Sequence, residues 1–286
     1  MELFDTHVHL DSAAFTPDRD DVIARARAAG VTRFVSIGAG AGPAATSGAS
    51  EQTVERTPLA SARQVLELAE RLPYVWASVG VHPHDATITS TETFSLHAAE
   101  LRRAATHPRA VAIGETGLDF HYDLAPRDDQ ARWFTEQIAI ARESKKPLII
   151  HSRNAGEECL ELLTTNGAAE VGGVFHCYGE SAEFAARLRA IRFMVSIPGI
   201  VTFKKADALR AAVAAIPLEQ IMLETDAPYL APEPFRGKRC ESSFMVRTAE
   251  AIATAKGLTL EEVARVTTAN AIRFFNLGGH AHDHVG

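Results

Sequence analysis

Residues Pro147–Arg153 read PLIIHSR, an apolar run followed directly by a histidine. The same pattern recurs in Ala110–Glu115 (AVAIGE) and in Gly173–His176 (GVFH), where a short apolar run ends in a carboxylate or a histidine. Short apolar runs rich in Val, Ile and Phe are typical of strands buried in a parallel sheet. The polar residue after each run therefore marks one edge of the predicted sheet.

Working outward from this stretch, eight strands alternate with amphipathic helical segments. The strand candidates are Leu3–Val8, Phe34–Ile37, Val75–Val81, Ala110–Gly114, Pro147–Ile150, Gly173–Phe175, Phe193–Ile197 and Ile221–Glu224. Helices are predicted at Asp20–Ala29, Ser61–Arg71, Gln130–Ser144, Ala182–Ala190 and Ala206–Ile216. Parallel neighbours need a crossover connection, usually a helix. A doubly wound open sheet also fits this alternation. Eight strands with polar residues at their ends favour an α/β fold of the (β/α)8 TIM-barrel type, with the site at the C-terminal strand ends.

Two segments interrupt the alternation. Ala39–Thr57 is rich in Gly, Ala, Ser and Thr and is predicted to be a long loop after the second strand. Residues Gly278–Gly286 show no apolar periodicity and are predicted to be a disordered tail. Because no repeat or linker divides the rest, residues 1–277 are predicted to form a single barrel domain.

Composition restricts the class of protein. The 286 residues are 46% hydrophobic and 23% charged, which is ordinary for a globular chain. A net charge of −7 argues against a broad basic surface that coats duplex DNA, although a nucleic-acid end held in a metal-containing cleft remains compatible. Three cysteines without a CxxC pair indicate a reducing compartment. With no signal peptide and no apolar run of bilayer length, we expect a soluble cytoplasmic protein without a membrane partner.

The polar residues at the strand ends are the candidates for chemistry. They are His7, His9, His82, Glu115, His151, His176 and Asp226. Each one alone has an ordinary explanation, such as a hydrogen-bonded histidine, a salt bridge or a helix N-cap. In a barrel, however, the carboxyl ends of all strands meet at one mouth, so residues distant in sequence converge there. The joint pattern therefore predicts an active site.

The ligand types indicate metal. His7 and His9 are two residues apart on a strand, so they face one side and can share an ion. By the same alternation Asp5 is predicted to orient one imidazole. A catalytic zinc usually takes three protein ligands, so four imidazoles and two carboxylates suit two metals bridged by a carboxylate and a hydroxide. Mixed nitrogen and oxygen ligands leave Zn, Mn, Mg, Co and Fe open.

Six ordered segments resemble the signature motifs of TatD-like metal-dependent deoxyribonucleases, a family of amidohydrolase-type metallo-barrels. The resemblance extends from about residue 2 to residue 277, apart from Ala39–Thr57. The matching segments are FDTHVHLD at 4–11, SVGVHPHD at 78–85, IGETGLDFHYD at 113–123, PLIIHSRNA at 147–155, GGVFHCYGES at 172–181 and LETDAPYLAP at 223–232.

The resemblance implies a role for each candidate residue. The residues implied to hold two divalent metal ions (Zn, Mg or Mn) are His7, His9 and Asp226 for one ion, His151 and His176 for the other, and Glu115 as the bridge. Asp226 would also accept the proton of the attacking water. His82 and Arg153 would contact the scissile phosphate. The implied activity is 3′–5′ exonuclease cleavage of single-stranded DNA or RNA by a monomer without an obligate protein partner.

The segment at 232–242, PEPFRGKRCES, departs from the family pattern. Phe235, Cys240 and Ser242 stand where relatives typically carry His, Asn and Pro. The basic residues that remain form a small basic edge and are Arg236, Lys238 and Arg239. These departures concern substrate preference and leave the predicted metal ligands intact.

Two other functions stay open on the residues alone. The same activated hydroxide serves a carbonyl substrate, such as an amide, a lactone or a D-aminoacyl-tRNA ester, and only the pocket discriminates between them. The other is a non-catalytic, metal-stabilised binding barrel, which predicts a missing ligand or base, and none is missing. Asp119 is interpreted as a residue that shapes the turn after Glu115.

Overall fold

A computed structural model describes residues 1–40 and 58–277. Eight strands run parallel, each paired with its successor in the chain, in the order β1 to β8. They are β1 Leu3–Val8, β2 Val31–Ala39, β3 Val75–Gly80, β4 Ala110–Asp119, β5 Leu148–Arg153, β6 Gly173–Phe175, β7 Phe193–Ile197 and β8 Ile221–Leu223. A parallel bridge between Val8 and Ala227 joins the end of β1 to the segment that follows β8. The fold is therefore the predicted (β/α)8 barrel.

Helices provide the crossovers between the strands and also close the chain. They are α1 Arg19–Ala28, α2 Ala60–Arg71, α3 Thr91–Ala105, α4 Arg127–Ser144, α5 Gly156–Thr165, α6 Ala182–Ala190, α7 Asp207–Ala215, α8 Met245–Lys256 and α9 Leu260–Phe274. Side-chain caps mark several starts, for example the Ser90 hydroxyl, which accepts from the amide of Thr93 at the start of α3. Among the described residues, no helix is both long and apolar enough to cross a membrane.

The barrel interior is filled with apolar side chains at its amino-terminal end. One buried cluster takes residues from seven of the strands, including Phe4, Trp76 and Met222. Phe275, just after α9, packs against Phe4 with a centroid distance of 5.9 Å and covers this end. Each such burial is worth roughly 1.5–3 kcal/mol. A larger buried cluster packs the strands against the surrounding helices, so the core does not require apolar side chains at the mouth.

All eight predicted strands are present, but three of them extend further than predicted. β2 reaches Ala39, the first residue of the predicted loop, and residues 41–57 of that loop lie outside the described residues, as does the predicted tail 278–286. β4 continues to Asp119 and β5 to Arg153, because the two strands stay paired as far as Asp119 and Arg153. His151 therefore lies in a paired position opposite Gly117, whereas Glu115 lies at a register shift of β4 between Ile113 and Thr116.

Candidate metal centre

The mouth of the barrel gathers imidazoles around one buried carboxylate. Glu115 Oε1 lies 2.7 Å from Nε2 of His176 and 2.9 Å from Nδ1 of His151. Its other oxygen, Oε2, lies 3.3 Å from Nε2 of His7. These residues come from β4, β5, β1 and the end of β6, so the predicted convergence of distant strand ends is observed. Glu115 is only 3% exposed.

The end of β8 supplies the second carboxylate. Asp226 Oδ1 lies 3.3 Å from Nε2 of His9 and 3.7 Å from Nε2 of His7, so both histidines do face one side. The main chain sets this arrangement, because the amide of Asp226 donates to the carbonyl of His7 at 2.9 Å and the amide of His9 donates to that of Ala227 at 2.8 Å. Asp226 has a φ of 57°, a left-handed conformation that aspartate tolerates better than most residues.

Asp5 has a different role from the predicted one. Its fully buried carboxylate accepts from the amide of Thr225 at 3.0 Å, from the Thr225 hydroxyl at 2.6 Å and from the Ser242 hydroxyl at 2.6 Å. It meets His7 only at the main-chain amide, so the prediction that it orients an imidazole is wrong. The register of β1 shifts between Asp5 and Val8, which breaks the simple alternation. Burial raises the pKa of Asp5 to about 7.

The two site carboxylates are held in their ionised form. Burial alone would raise the pKa of Glu115, but the surrounding imidazoles, led by His176, outweigh it and hold that pKa well below its ordinary value. Burial likewise opposes ionisation of Asp226, but the hydrogen bond from His9 together with the charges of the surrounding histidines outweighs it and lowers the pKa of Asp226. A buried negative charge is costly without a positive partner, so this cluster calls for cations.

Unpartnered nitrogens provide the test for a metal ion. Within residues 1–40 and 58–277, both ring nitrogens of buried His7 and the Nδ1 of His176 have no hydrogen-bond partner. The Nε2 of His7 lies 3.3 Å from Glu115 Oε2 but does not form a hydrogen bond with it. Buried polar atoms almost always have partners, so these nitrogens fit a divalent ion. Four groups of donors in the described residues lie close enough to hold one, and the fourth, His84, Asp119 and His151, is taken up below; the other three surround Glu115 and Asp226. They are His7, His176 and Asp226; His7, His9 and Glu115; and His82, Glu115 and His151.

His82 is fixed as a hydrogen-bond donor. Its Nδ1 accepts from the amide of His84 at 3.1 Å, and because an amide only donates, the hydrogen of the neutral ring must lie on Nε2. That Nε2 lies 3.3 Å from His151 Nδ1 and 3.4 Å from Glu115 Oε1. Burial lowers the pKa of His82 to about 4, so the ring is neutral near pH 7.

Three further residues belong to the site and were not predicted there. Asp119 does shape the turn, since its Oδ1 accepts from two amides, but its Oδ2 also contacts His84 and His151. Glu224 lies buried with Oε1 3.6 Å from His176 Nδ1. Asp119 stands four residues after Glu115, and an even spacing along a strand would have indicated the same face. No comparable spacing in the sequence would have indicated His84.

Comparison with known proteins agrees with this geometry. A family model described as TatD related DNase matches residues 4–276. The chain belongs to the TatD-related DNase family. It is 39% identical over 275 residues to a Bacillus subtilis protein named uncharacterized metal-dependent hydrolase YabD, covering 96% of this chain and 99% of that one. The predicted family is thereby confirmed, and with it a TatD-type metal-dependent hydrolase.

Other TatD relatives extend the comparison. A protein of Erwinia tasmaniensis named 3′-5′ ssDNA/RNA exonuclease TatD is 35% identical and covers 96% of this chain and 100% of its own. The crystal structure of YJJV, a TatD homolog from Escherichia coli K12, superposes with a TM-score of 0.82 at 25% identity, covering 96% of this chain and 98% of that one. Both alignments extend over nearly the whole chain.

The residues of the predicted basic edge and Arg153 differ in how far their charges are already paired. Arg239 is held by Asp18 at 2.7 Å and by Glu241 at 3.0 Å. Arg236 and Lys238 are exposed and lie over aromatic rings. Arg153 is exposed at the end of β5, with its guanidinium 4.5 Å from the centre of the Tyr122 ring. Of the predicted basic edge, Arg239 is therefore occupied in ion pairs.

Proposed function

We propose that this TatD-family chain is a metal-dependent phosphodiesterase that removes nucleotides from the 3′ end of single-stranded DNA or RNA. The observation that carries the proposal is the pair of ionised carboxylates, Glu115 and Asp226, set among four imidazoles at the barrel mouth. The exonuclease name of the Erwinia tasmaniensis relative supports the substrate class.

Two divalent ions (Zn, Mg or Mn) fit the donors. We assign one to His7, His9 and Asp226 and the other to His151 and His176, with Glu115 shared. When bound, such ions lower the pKa of a water and offset negative charge on a phosphate. Two of the donor groups share His7 and two share Glu115, which supports two neighbouring ions in one cavity.

The chain's own residues provide proton acceptance and charge stabilisation. Asp226 is ionised and lies at the mouth beside His9, so its carboxylate is placed to accept the proton of an attacking water. His82 keeps its hydrogen on Nε2 and offers it to a phosphate oxygen. The exposed guanidinium of Arg153 offers paired N–H donors to the same phosphate.

Exposed aromatic residues favour a nucleic acid over a small carbonyl substrate. Tyr122 is 52% exposed and packs against His84 and Arg153, while Tyr229 is 59% exposed and packs against His9. Unpaired bases stack on such side chains with about 1–3 kcal/mol per base. The two rings flank the cluster on different sides, which suits a strand that crosses the mouth.

The test is degradation of 3′-labelled and 5′-labelled single-stranded DNA and RNA by purified protein in Mg²⁺ or Mn²⁺. Asp226→Asn should lose roughly 10²–10⁴-fold in rate, the range for removal of a proton-transfer group. Asp123→Asn, an exposed aspartate paired with Arg127, is the matched control and should keep its rate. Release of mononucleotides from the 3′ end supports the exonuclease.

Two results would contradict these proposals. If the protein binds metal but cuts neither nucleic acid, the phosphodiesterase proposal is overturned, and amide, lactone and aminoacyl-ester substrates become the candidates. An Asp226→Asn variant that cuts as fast as wild type would remove Asp226 from its proposed role.

A further inference from the structure

Asp119 is a buried carboxylate that contacts His151, a proposed metal ligand. It ends β4, is 0% exposed, and its own amide is fixed by Gln130 of α4 at 2.9 Å. Oδ1 accepts from the amides of His121 and Tyr122, both at 2.9 Å. Oδ2 lies 2.7 Å from Nε2 of His84. The carboxylate is therefore anchored to its turn before it meets the site.

The second contact of Oδ2 is with a candidate metal ligand. Nε2 of His151 lies 3.1 Å from Asp119 Oδ2, while Nδ1 of the same ring lies 2.9 Å from Glu115 Oε1. An ionised carboxylate only accepts hydrogen bonds, so the hydrogen between His151 and Asp119 must belong to Nε2. In the metal-free protein the same rule places a second hydrogen on Nδ1 beside Glu115, but Nδ1 faces the mouth, so a bound ion would replace that hydrogen and leave the one on Nε2.

We propose that Asp119 is a positioning residue: it keeps the hydrogen of His151 on Nε2 and so presents the Nδ1 lone pair of that ring to the metal shared with Glu115. This inference rests on the metal centre proposed above and does not depend on the substrate. Such outer carboxylates orient metal-bound histidines, and their loss weakens metal affinity by about 10–100-fold. An asparagine at this position can turn its NH2 group toward the ring, which favours the wrong tautomer.

A third metal ion between His84, Asp119 and His151 is the competing explanation, because their donor atoms lie within 4.8 Å of one another. Oδ1 and Oδ2 of Asp119 already accept two contacts each, which uses their full capacity. A metal there would also require His151 to lose the hydrogens of both nitrogens if Nδ1 binds the neighbouring ion. Hydrogen bonding satisfies the same contacts without that cost.

The experiment counts metals and reads the tautomer. Metal-free protein is titrated with Mn²⁺ by calorimetry, and ¹⁵N-labelled histidine NMR of the protein loaded with diamagnetic Zn²⁺ gives the protonated nitrogen of His151, assigned with His151→Gln. Wild type should bind two Mn²⁺ and, when loaded with Zn²⁺, carry the His151 hydrogen on Nε2. Asp119→Asn should lower the affinity of one of the two sites by about 10–100-fold. Asp129→Asn, which changes a carboxylate that accepts from the amide of Ile88, should leave both sites unchanged.

Three outcomes overturn the inference. Unchanged Mn²⁺ affinity in Asp119→Asn, or a hydrogen on Nδ1 of His151 in the Zn²⁺-loaded wild type, contradicts it, and the latter needs no folded variant. Three Mn²⁺ in wild type that fall to two in His84→Ala would establish the third ion instead. A protein that passes these metal tests but cuts no nucleic acid would refute the proposed function and leave the role of Asp119 standing.

Discussion

The β1–β8 side and the β4–β5 side of the mouth prepare their histidines differently. On the β1–β8 side, the ring of His7 has no hydrogen-bond partner at either nitrogen within the described chain. On the β4–β5 side, His151 has a carboxylate at each ring nitrogen, Glu115 on one and Asp119 on the other. His7 on the β1–β8 side therefore lacks a partner until an ion binds. His151 on the β4–β5 side is already oriented by two carboxylates.

The arginines on the two sides of the mouth also differ in whether their charge is already paired. Arg239, near the β1–β8 side, is paired with Asp18 and Glu241, so its charge is already satisfied. Arg153, on the β4–β5 side, is exposed and rests on Tyr122. The β4–β5 side thus combines a preset metal ligand with an available cation, which suits it to hold the phosphate.

The largest expected effect compares His7→Leu with His151→Leu in metal-free protein. His151→Leu should lower the free energy of unfolding by about 1–3 kcal/mol, because Glu115 and Asp119 each lose one hydrogen-bond partner. His7→Leu should change it by less than about 1 kcal/mol, since it removes a ring that lacks hydrogen bonds. Urea unfolding in EDTA measures both. Equal losses would show that the two sides are equally organised without metal.

A smaller effect is expected from the arginines. Arg153→Gln should raise KM for single-stranded DNA about tenfold, which corresponds to the loss of one charge-assisted hydrogen bond of roughly 1.4 kcal/mol. Arg239→Gln should leave KM within about twofold, because its guanidinium is already engaged by Asp18 and Glu241. Steady-state kinetics on one labelled oligonucleotide compares them. A larger rise for Arg239→Gln would place the phosphate on the β1–β8 side.

The smallest effect is a pH dependence of stability at Asp18. The hydrogen bond from Arg239 lowers the pKa of Asp18 from 3.8 to about 2. A lowered carboxylate pKa stabilises the fold above the ordinary value, and that stability is lost as pH falls from about 4 toward 2. The Tm of wild type should therefore be slightly higher than that of Arg239→Gln near neutral pH. This difference in Tm should become smaller as the pH falls from about 4 toward 2. A gap independent of pH would show that packing of Arg239 on Phe15 matters more than the ion pair.

The sequence predicted the barrel because the alternation of strands and helices is local. Each apolar run, such as Leu148–Ile150, and each amphipathic helix, such as α6, is specified by its own side chains. Strand ends were less well predicted. β4 and β5 extend beyond their apolar runs because each is paired with the other, and that pairing depends on residues far apart in the chain.

The list of candidate ligands was likewise available from sequence, because barrel topology brings any strand-end histidine or carboxylate to the same mouth. Only the tertiary structure decided what each group faces. Asp5 turned to Thr225 and Ser242 instead of an imidazole, and Asp119 proved to contact His84 and His151 as well as its own turn. The physical reason is that the sequence states the type of each side chain directly. Its hydrogen-bond partners depend on register shifts and on neighbouring strands, which no local sequence pattern specifies.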